Sequence, residues 1–307
     1  MANLSYSAQI PEIKQLIGHY SSLEDLAAQA STSKTNSQLF KPMLDIRRFL
    51  LQVVHGEYDK VKAMLRGNIN FLIAKAEVID YSGRRFFNIS GFQYALWALD
   101  NHMWIKMLNC LPRNEEGAKV KAALLKQYQE LKENGITYEL NGERITEKHF
   151  DFKNTLIKEL RTQVNDYNNG IKDWDEVDQQ WREGVGSAQK LLPMHVVYEY
   201  CSEEPFRPLP AFIEQPGMQK QFYNCLSEKY EDWFHADSKL GRDFGITKGA
   251  RARAGRGRES SEGASGGALL AMETLCDQRS VEFISLASLL KEPLAFDNPF
   301  DSQDLSI

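Results

Sequence analysis

The sequence lacks the marks of a disulfide-bonded secreted protein and of a membrane-spanning one. It has only four cysteines in 307 residues, and no two of them form a C-x-x-C pair, which is typical of reduced intracellular thiols. Its longest apolar stretches, such as 283–290, are far shorter than the ~20 residues of a membrane-spanning helix. The first residues do not resemble a secretory signal peptide. We therefore expect a chain that folds in a reducing aqueous compartment and has no membrane span.

Motifs for catalysis and for metal binding are also scarce. The sequence contains neither the P-loop pattern nor G-x-G-x-x-G, and no H-E-x-x-H or related histidine and cysteine spacing of metal type occurs. These absences predict no metal and no required cofactor. These absences do not decide whether the protein is an enzyme, but they favour a protein without catalytic activity.

What the sequence does contain is the composition of a chain that buries a core. Hydrophobic residues make up 42%, aromatic residues 11% and charged residues 26%, and the formal net charge is -5. This composition excludes wholesale disorder. A negative overall charge argues against a protein that coats nucleic acid, because the phosphate backbone attracts basic surfaces.

The hydrophobic periodicity predicts an α-rich α+β fold. Apolar residues recur at three and four positions in many segments, which favours a mostly helical body. Two segments instead alternate around turn residues, Ser82-Gly83 and Asn141-Gly142, and predict two short β-hairpins. We expect a loop at 31–38 from its Ser, Thr and Asn content, and a further amphipathic helix at 218–234.

The composition along the chain suggests three regions. Residues 1–40 form an N-terminal helical and loop extension, and residues 41–290 form the helical body. Residues 291–307 are acidic and broken by two prolines, so we expect them to be a disordered tail.

Residues 44–112 show the order of an ankyrin-type unit. Two helices joined at a glycine are followed by an extended finger and another helix, and the finger carries the D-x-x-G-R pattern from Asp80 to Arg84. Only about one and a half units are visible, although a solenoid usually needs roughly three to bury its core. The segment is therefore predicted to be a degenerate ankyrin-like unit, with a generic helical hairpin as the alternative. Asp80 and Arg84 are candidate contacts for a protein partner.

A glycine-rich basic segment is the candidate ligand site. Lys248, Arg251, Arg253, Arg256 and Arg258 lie among glycines, and flexible backbone with guanidinium groups suits phosphate. The segment has no aromatic residue for base stacking, which argues against single-stranded nucleic acid. A solvated flexible loop is the alternative.

The C-terminal tail contains one short interaction motif. Asn298, Pro299 and Phe300 form an NPF tripeptide in an acidic context. A turn at Asn-Pro would present the phenylalanine as an apolar anchor. Such tripeptides resemble ligands of EH-domain adaptors, so an EH-domain protein is a candidate partner.

Three longer stretches taken together resemble a module of Legionella-type Dot/Icm translocated effectors. They are DYSGRRFFNISGFQYALWALDNHMW, GSAQKLLPMHVVYEYC, and LGRDFGITKGARARAGRGR with the helix that follows it. Some members of that group are described as KLAMP domains, which bind small nucleotides. The resemblance covers roughly residues 44–290.

The resemblance implies a bacterial effector that a type IV system secretes into the host cytoplasm. It implies an adenine nucleotide as ligand, with the arginines of the basic segment as phosphate contacts. A helix beginning near Gly266-Gly267 would add backbone N–H donors. It also implies that the tail serves as an export signal.

Two other functions remain as alternatives. One is an ankyrin-like module that binds a host protein without catalysis. The other is an enzyme with a dispersed active site, for which His195, Cys201 and the basic segment are the candidate residues.

Overall fold

The computed structural model describes residues 11–169, 173–224, 227–235, 237–249, 255–257 and 262–295. The helices are α1 Pro11–Tyr20, α2 Leu23–Ser31, α3 Lys34–Val54, α4 Tyr58–Gly67, α5 Gly91–Ala98, α6 Asn101–Leu108, α7 Glu115–Asn134, α8 Lys158–Asn169, α9 Trp174–Gln179, α10 Gly186–Lys190, α11 Met194–Cys201 and α12 Glu262–Lys291. The strands are β1 Lys75–Ile79, β2 Arg85–Ser90, β3 Ile136–Leu140, β4 Glu143–Glu147, β5 Gln221–Asn224, β6 Lys229–Asp232, β7 Gly245–Thr247 and β8 Gly255–Gly257. This confirms the predicted α-rich α+β class. None of the helices in the described ranges is long and apolar enough to cross a bilayer.

The first three helices form a small subassembly with its own apolar cluster. Ser22 caps α2 by accepting a hydrogen bond from the Asp25 backbone. The predicted loop at 31–38 is wrong, because Ser33 caps α3, which begins at Lys34. The polar residues that suggested a loop therefore form the boundary between two helices. The predicted domain boundary at residue 40 falls inside α3.

The helical hairpin and the first β-hairpin are present where the sequence predicted them. Helices α3 and α4 meet at Gly56, whose φ of 67° is the left-handed conformation that favours glycine. A 3-10 turn (Ile69–Leu72) leads into β1, and β1 pairs with β2 in antiparallel register. In the described ranges the order of helix, turn, helix and finger occurs once, so residues 44–112 contain one such unit.

The second predicted hairpin joins the first one in a single sheet. The strand order is β1-β2-β3-β4. Asn141 and Gly142 have φ values of 52° and 82°, as the predicted two-residue turn requires. Residues 136–147 therefore extend the finger into a four-stranded sheet.

A second four-stranded sheet was not predicted at all. Its strand order is β6-β5-β8-β7, and its β5–β6 hairpin replaces the amphipathic helix expected at 218–234. That prediction is wrong because the aromatic side chains pair across strands: Tyr223 lies opposite Tyr230, and their ring centroids are 5.5 Å apart. Phe222 is buried from the same hairpin. Cross-strand packing has outweighed a helical spacing.

Ring stacking connects the first hairpin to the second sheet. Tyr81, at the turn of the first hairpin, is stacked between His55 and Phe234, with centroid distances of 3.9 Å and 5.0 Å. One large core links the two halves, and its fully buried tryptophans are Trp97, Trp104, Trp181 and Trp233.

The long helix α12 packs along α7 and α8. It begins at Glu262, so the prediction of a helix start near Gly266-Gly267 is wrong. These glycines lie inside the helix, where the Arg207 side chain rests against them. A Cβ on Gly267 would lie 3.1 Å from Arg207 Nε.

Candidate functional site

Helix α11 is the buried element from which the site is built. Its eight residues are all buried, although Glu199 and His195 are polar. Pro193 is at its N-cap, where the fixed φ of proline suits a helix start. Ser202 ends the helix with an extended ψ of 161°, so the chain turns away there and the last carbonyls of α11 need other donors.

Lys248, which directly follows β7, supplies those donors. Its side chain is 1% exposed. Its ammonium Nζ donates to the Glu199 carbonyl at 2.6 Å, to the Ser202 carbonyl at 2.9 Å and to Ser202 Oγ at 2.9 Å. The ring of Phe206 lies 4.8 Å from Nζ. All three donors of the ammonium therefore have partners within the chain.

Burial changes the protonation of this end of α11. It lowers the pKa of Lys248 to about 8 and raises the pKa of Glu199 to about 7. It also raises the pKa of the Cys201 thiol to about 12. In each case the low-dielectric interior disfavours the charged form. Near neutral pH, Lys248 and Glu199 are thus both close to losing or gaining a proton.

Arg279 of α12 forms a second buried charge, close to α11. It has no exposed surface, and its guanidinium donates to the Phe212 carbonyl at 3.1 Å and to Glu282 at 2.8 Å. One of its nitrogens is 3.1 Å from His102 Nε2 and 3.9 Å from Glu199. Arg279 thus joins α12, α6 and α11 in one polar network.

Asp100 and Tyr58 lie near this network. The Tyr58 hydroxyl donates to the Asp100 carboxylate at 3.0 Å, and Asp100 caps α6 by accepting from the Met103 backbone. Burial raises the pKa of Asp100 to about 6. Burial and the Arg279 charge lower the pKa of His102 to about 4. His102 is therefore neutral at pH 7 and can accept the hydrogen bond from Arg279.

A cavity of about 470 Å³ adjoins the end of α11. Cys201, Ser202 and Glu203 line one side, and the β5–β6 hairpin with the residues before it lines the other. Lys220 supplies a cationic side chain to the wall. This volume is within the range of small-molecule sites, which run from about 300 to 1,000 Å³.

The structure describes two of the five residues of the predicted basic site, Lys248 and Arg256. Lys248 is buried and bound to α11, so a phosphate could contact it only if it left those partners. Arg256 lies on β8, with its backbone opposite Ile246. Arg251, Arg253 and Arg258 lie outside the described residues.

The candidate interaction residues of the finger are buried rather than exposed. Asp80 and Arg84 are 6% and 2% exposed and form an ion pair of 3.3 Å. The Arg84 guanidinium lies 5.2 Å from the ring centres of Trp97 and Phe150. Both residues therefore stabilise the hairpin from inside, and neither side chain faces a partner. The NPF residues Asn298, Pro299 and Phe300 lie outside the described residues.

The residues of the enzyme alternative are not poised as a nucleophile and its base. Cys201 stays a protonated thiol, as its raised pKa requires. Burial holds the pKa of His195 far below its usual value, and neither ring nitrogen of His195 has a hydrogen-bond partner in the part of the chain that the structure describes. Among those residues, no group of three or more His, Cys, Asp or Glu side chains is arranged to hold a metal ion.

Sequence reasoning missed Glu199, Ser202 and Arg279. Arg279 did leave a signal, because it occurs four residues after Leu275 and four before Phe283, both buried. A cation at an apolar helical position indicates a buried partner. Nothing in the sequence pairs Ser202 with Lys248, since their contact depends on the second sheet.

The comparisons with known proteins agree on one family. A family model described as the CBUA0006 C-terminal domain matches residues 155–290. The chain is 35% identical over 280 residues to the uncharacterized protein CBUA0006 of Coxiella burnetii (strain RSA 493 / Nine Mile phase I), covering 84% of this chain and 79% of that protein. The chain therefore belongs to the CBUA0006 family. No solved structure matches it.

The matched C-terminal domain contains most of the site described above. Residues 155–290 include α11, the second sheet, Lys248 and Arg279. The site is thus built largely on the part of the chain that the family model matches.

Proposed function

We propose that the protein is a bacterial effector that binds an adenine nucleotide or a related phosphate ligand through its basic segment. The single observation that carries this proposal is that Gly249, the residue after Lys248, is hydrogen-bonded to the backbone of Arg207, whose side chain rests on Gly266 and Gly267 of α12. Lys248 fixes the chain before the arginines, and β8 carries Arg256 between two glycines.

Hydrogen bonds hold Gly249, the residue after Lys248, close to Arg207. The Gly249 carbonyl accepts from the Phe206 and Arg207 backbone N–H groups at 3.0 Å and 3.3 Å. The exposed Arg207 side chain rests on Gly266 and Gly267 of α12. A guanidinium group outside the basic segment therefore lies next to it.

The electrostatics of α12 favour an anion at the same place. The N-terminal end of a helix carries a partial positive charge and backbone N–H groups without helical partners. Phosphate groups bind such helix ends readily. The basic segment precedes α12 in the sequence, so we expect its arginines to add to the attraction of the helix end for a phosphate.

Titration calorimetry with ADP, ATP and cyclic AMP tests this proposal. We expect heat of binding with the parent protein and its loss in a variant with Arg251, Arg253, Arg256 and Arg258 changed to Gln. The matched control changes four exposed lysines to Gln and should bind as the parent does; they are Lys62, Lys119, Lys126 and Lys132. If none of the three nucleotides gives heat with the parent, nucleotide binding is excluded.

The effector part of the proposal rests on the organism of the relative. The relative comes from Coxiella burnetii, which has a Dot/Icm system. We infer export into the host cytoplasm with the tail 291–307 as the signal. A translocation reporter should enter host cells with the full chain and fail to enter without the tail. Equal entry by both would remove the tail from the proposal.

An EH-domain adaptor is the proposed partner of the tail. A peptide of residues 291–307 should bind an isolated EH domain, and Phe300→Ala should abolish that binding. Equal binding of the two peptides would contradict the proposal.

The ankyrin-like alternative predicts that a host protein binds the surface of residues 44–112. Capture of a host protein by the chain without residues 291–307 would favour this alternative.

A further inference from the structure

The contact between Ser202 and Lys248 has the composition of a catalytic pair. Ser202 Oγ is 2.9 Å from Lys248 Nζ, and Ser202 also lines the cavity of about 470 Å³. In some hydrolases a lysine takes the place of histidine as the base for a serine nucleophile. We propose that Ser202 and Lys248 form such a pair and hydrolyse a small carboxylic ester bound in this cavity.

The surroundings of Lys248 suit a lysine that acts as a base. A lysine must lose its proton to accept one, and burial makes that loss easier. Glu199 and Cys201 on α11, Glu204 in the loop after it and the ring of Phe206 all face the ammonium. Desolvation by burial lowers the pKa of Lys248 to about 8 and outweighs the opposing influence of Cys201, Glu199 and Glu204.

The hydrogen bonds at the pair define a resting state and an active state. At rest the charged Nζ donates to Ser202 Oγ, and the Ser202 hydroxyl donates to the Glu199 carbonyl at 2.9 Å. When Nζ loses one proton, its lone pair can accept the hydroxyl proton across the same 2.9 Å. The hydroxyl hydrogen then rotates from the Glu199 carbonyl toward Nζ.

The reaction balances with water as the co-reactant. Ser202 Oγ attacks the ester carbonyl carbon while its proton passes to the uncharged Nζ. The ester C–O bond then breaks, Nζ returns the proton to the leaving alkoxide, and the acyl group stays on Oγ. Water next attacks the acyl carbon by the same proton route, which releases the carboxylic acid and restores Ser202.

The cavity wall indicates the class of ester. Met218 and Tyr230 contribute apolar surface, Lys220 contributes a positive charge beside Tyr81, and Glu203 and Asp232 contribute two carboxylates. A small neutral acyl group fits this combination, because the two carboxylates outnumber the single cation and repel an anionic substituent. We expect the neutral ester p-nitrophenyl acetate to be cleaved faster than the mono-anionic p-nitrophenyl succinate, and Glu203→Gln to reduce that difference.

Covalent labelling tests the nucleophile. A fluorophosphonate probe reacts with an activated serine hydroxyl and releases fluoride, and mass spectrometry of the digested full chain locates the adduct. We expect the adduct on Ser202 and none on that peptide in Ser202→Ala. The control is Ser187→Ala, because Ser187 lines another cavity and its hydroxyl donates to the Gly241 carbonyl rather than contacting a lysine ammonium in the part of the chain that the structure describes.

Variants of Lys248 and the pH profile test the base. Lys248→Met and Lys248→Arg should each lower the labelling rate at least about 100-fold, since general-base catalysis contributes that much. The arginine variant keeps the positive charge that caps α11, so its loss of labelling separates catalysis from a purely structural role. The labelling rate of the parent should rise with pH through about 8.

Each outcome decides the proposal. No adduct on Ser202, or equal labelling in Ser202→Ala, would overturn it. Unchanged labelling in either lysine variant would overturn it as well. If both lysine variants fail to fold, the pH profile of the parent decides: a rise through about pH 8 supports the pair, and a flat profile refutes it.

Discussion

Asp80 and Arg84 form a buried ion pair within one β-turn. The Arg84 Nη1 atom lies 3.3 Å from Asp80 Oδ2, and another Arg84 nitrogen donates to the Leu191 carbonyl at 2.7 Å. The same Asp80 carboxylate accepts from the backbone N–H groups of Ser82 and Arg84. The D-x-x-G-R pattern thus closes its own turn and fixes it to the C-terminal half of the chain.

Removing Arg84 should therefore destabilise the protein strongly. Arg84→Met leaves the Asp80 charge buried without its partner, which typically costs about 3–5 kcal/mol. Urea unfolding followed by circular dichroism measures the change. Arg85→Met is the control, because Arg85 pairs with Glu77 at the surface and such pairs contribute about 0–1 kcal/mol. Similar losses for the two variants would contradict the buried-pair account.

The pH dependence of stability should reveal the ionisation of Glu199 in the folded protein. Its folded pKa of about 7 lies above the value in the unfolded chain, so its ionisation destabilises the folded state as pH rises from about 4.5 to 7. Glu199→Gln should therefore gain stability relative to the parent between pH 5 and pH 8. The shift sets an upper bound of about 3 kcal/mol. A constant difference between the two proteins at both pH values would show that Glu199 does not titrate in this range.

The ionisation of His102 should make stability change with pH in the opposite direction to that of Glu199. Its folded pKa of about 4 lies below its unfolded value, so the unfolded chain binds the extra proton as pH falls from about 6.5 to 4. The parent loses stability from this group over that range, and His102→Gln should lose less. Unfolding midpoints at pH 7 and pH 5 measure the effect, with exposed His235→Gln as the control. Parallel pH profiles for the parent and His102→Gln would disprove the assignment.

Substitutions at Gly56 and Gly83 distinguish the cost of backbone strain from the cost of steric crowding. Both have positive φ values, 67° and 84°, and a Cβ on Gly56 would lie 2.8 Å from Tyr198 Cε2, whereas a Cβ on Gly83 meets nothing within 4 Å. Gly83→Ala should cost only the strain, about 1–2 kcal/mol. Gly56→Ala should cost a further 1–3 kcal/mol or so from overpacking. Equal thermal unfolding midpoints would mean that the turn at Gly56 moves freely to admit the methyl group.

Local sequence patterns predicted the first half of the fold well. The αα-hairpin, the finger and the Asn141-Gly142 turn all depend on residues close together in the chain, so turn chemistry and periodicity suffice to find them. The second sheet could not be found in this way. Its strands are three or four residues long, and β8 pairs with β5 across about thirty residues of chain, a contact that no local pattern encodes.

The candidate site, like the fold, could be predicted from the sequence only in part. The sequence drew attention to Lys248 because it begins a basic segment, and it could not show that the ammonium turns inward onto α11. That orientation depends on Ser202 and Glu199, which are more than forty residues away in the chain. Asp80 and Arg84 were recognised as a motif, and their burial depends on Trp97 and Phe150 from other elements.

Helix α12 also has a consequence for the order in which the protein can form during synthesis. Its residues 262–291 complete the packing around Trp104 and Tyr128, and Tyr128 donates to the Phe283 carbonyl at 3.2 Å. A nascent chain that has emerged only through α8 must therefore keep this apolar surface uncovered on the ribosome. Chaperones that hold exposed aromatic surface would be needed there for longer than in a protein whose core closes locally.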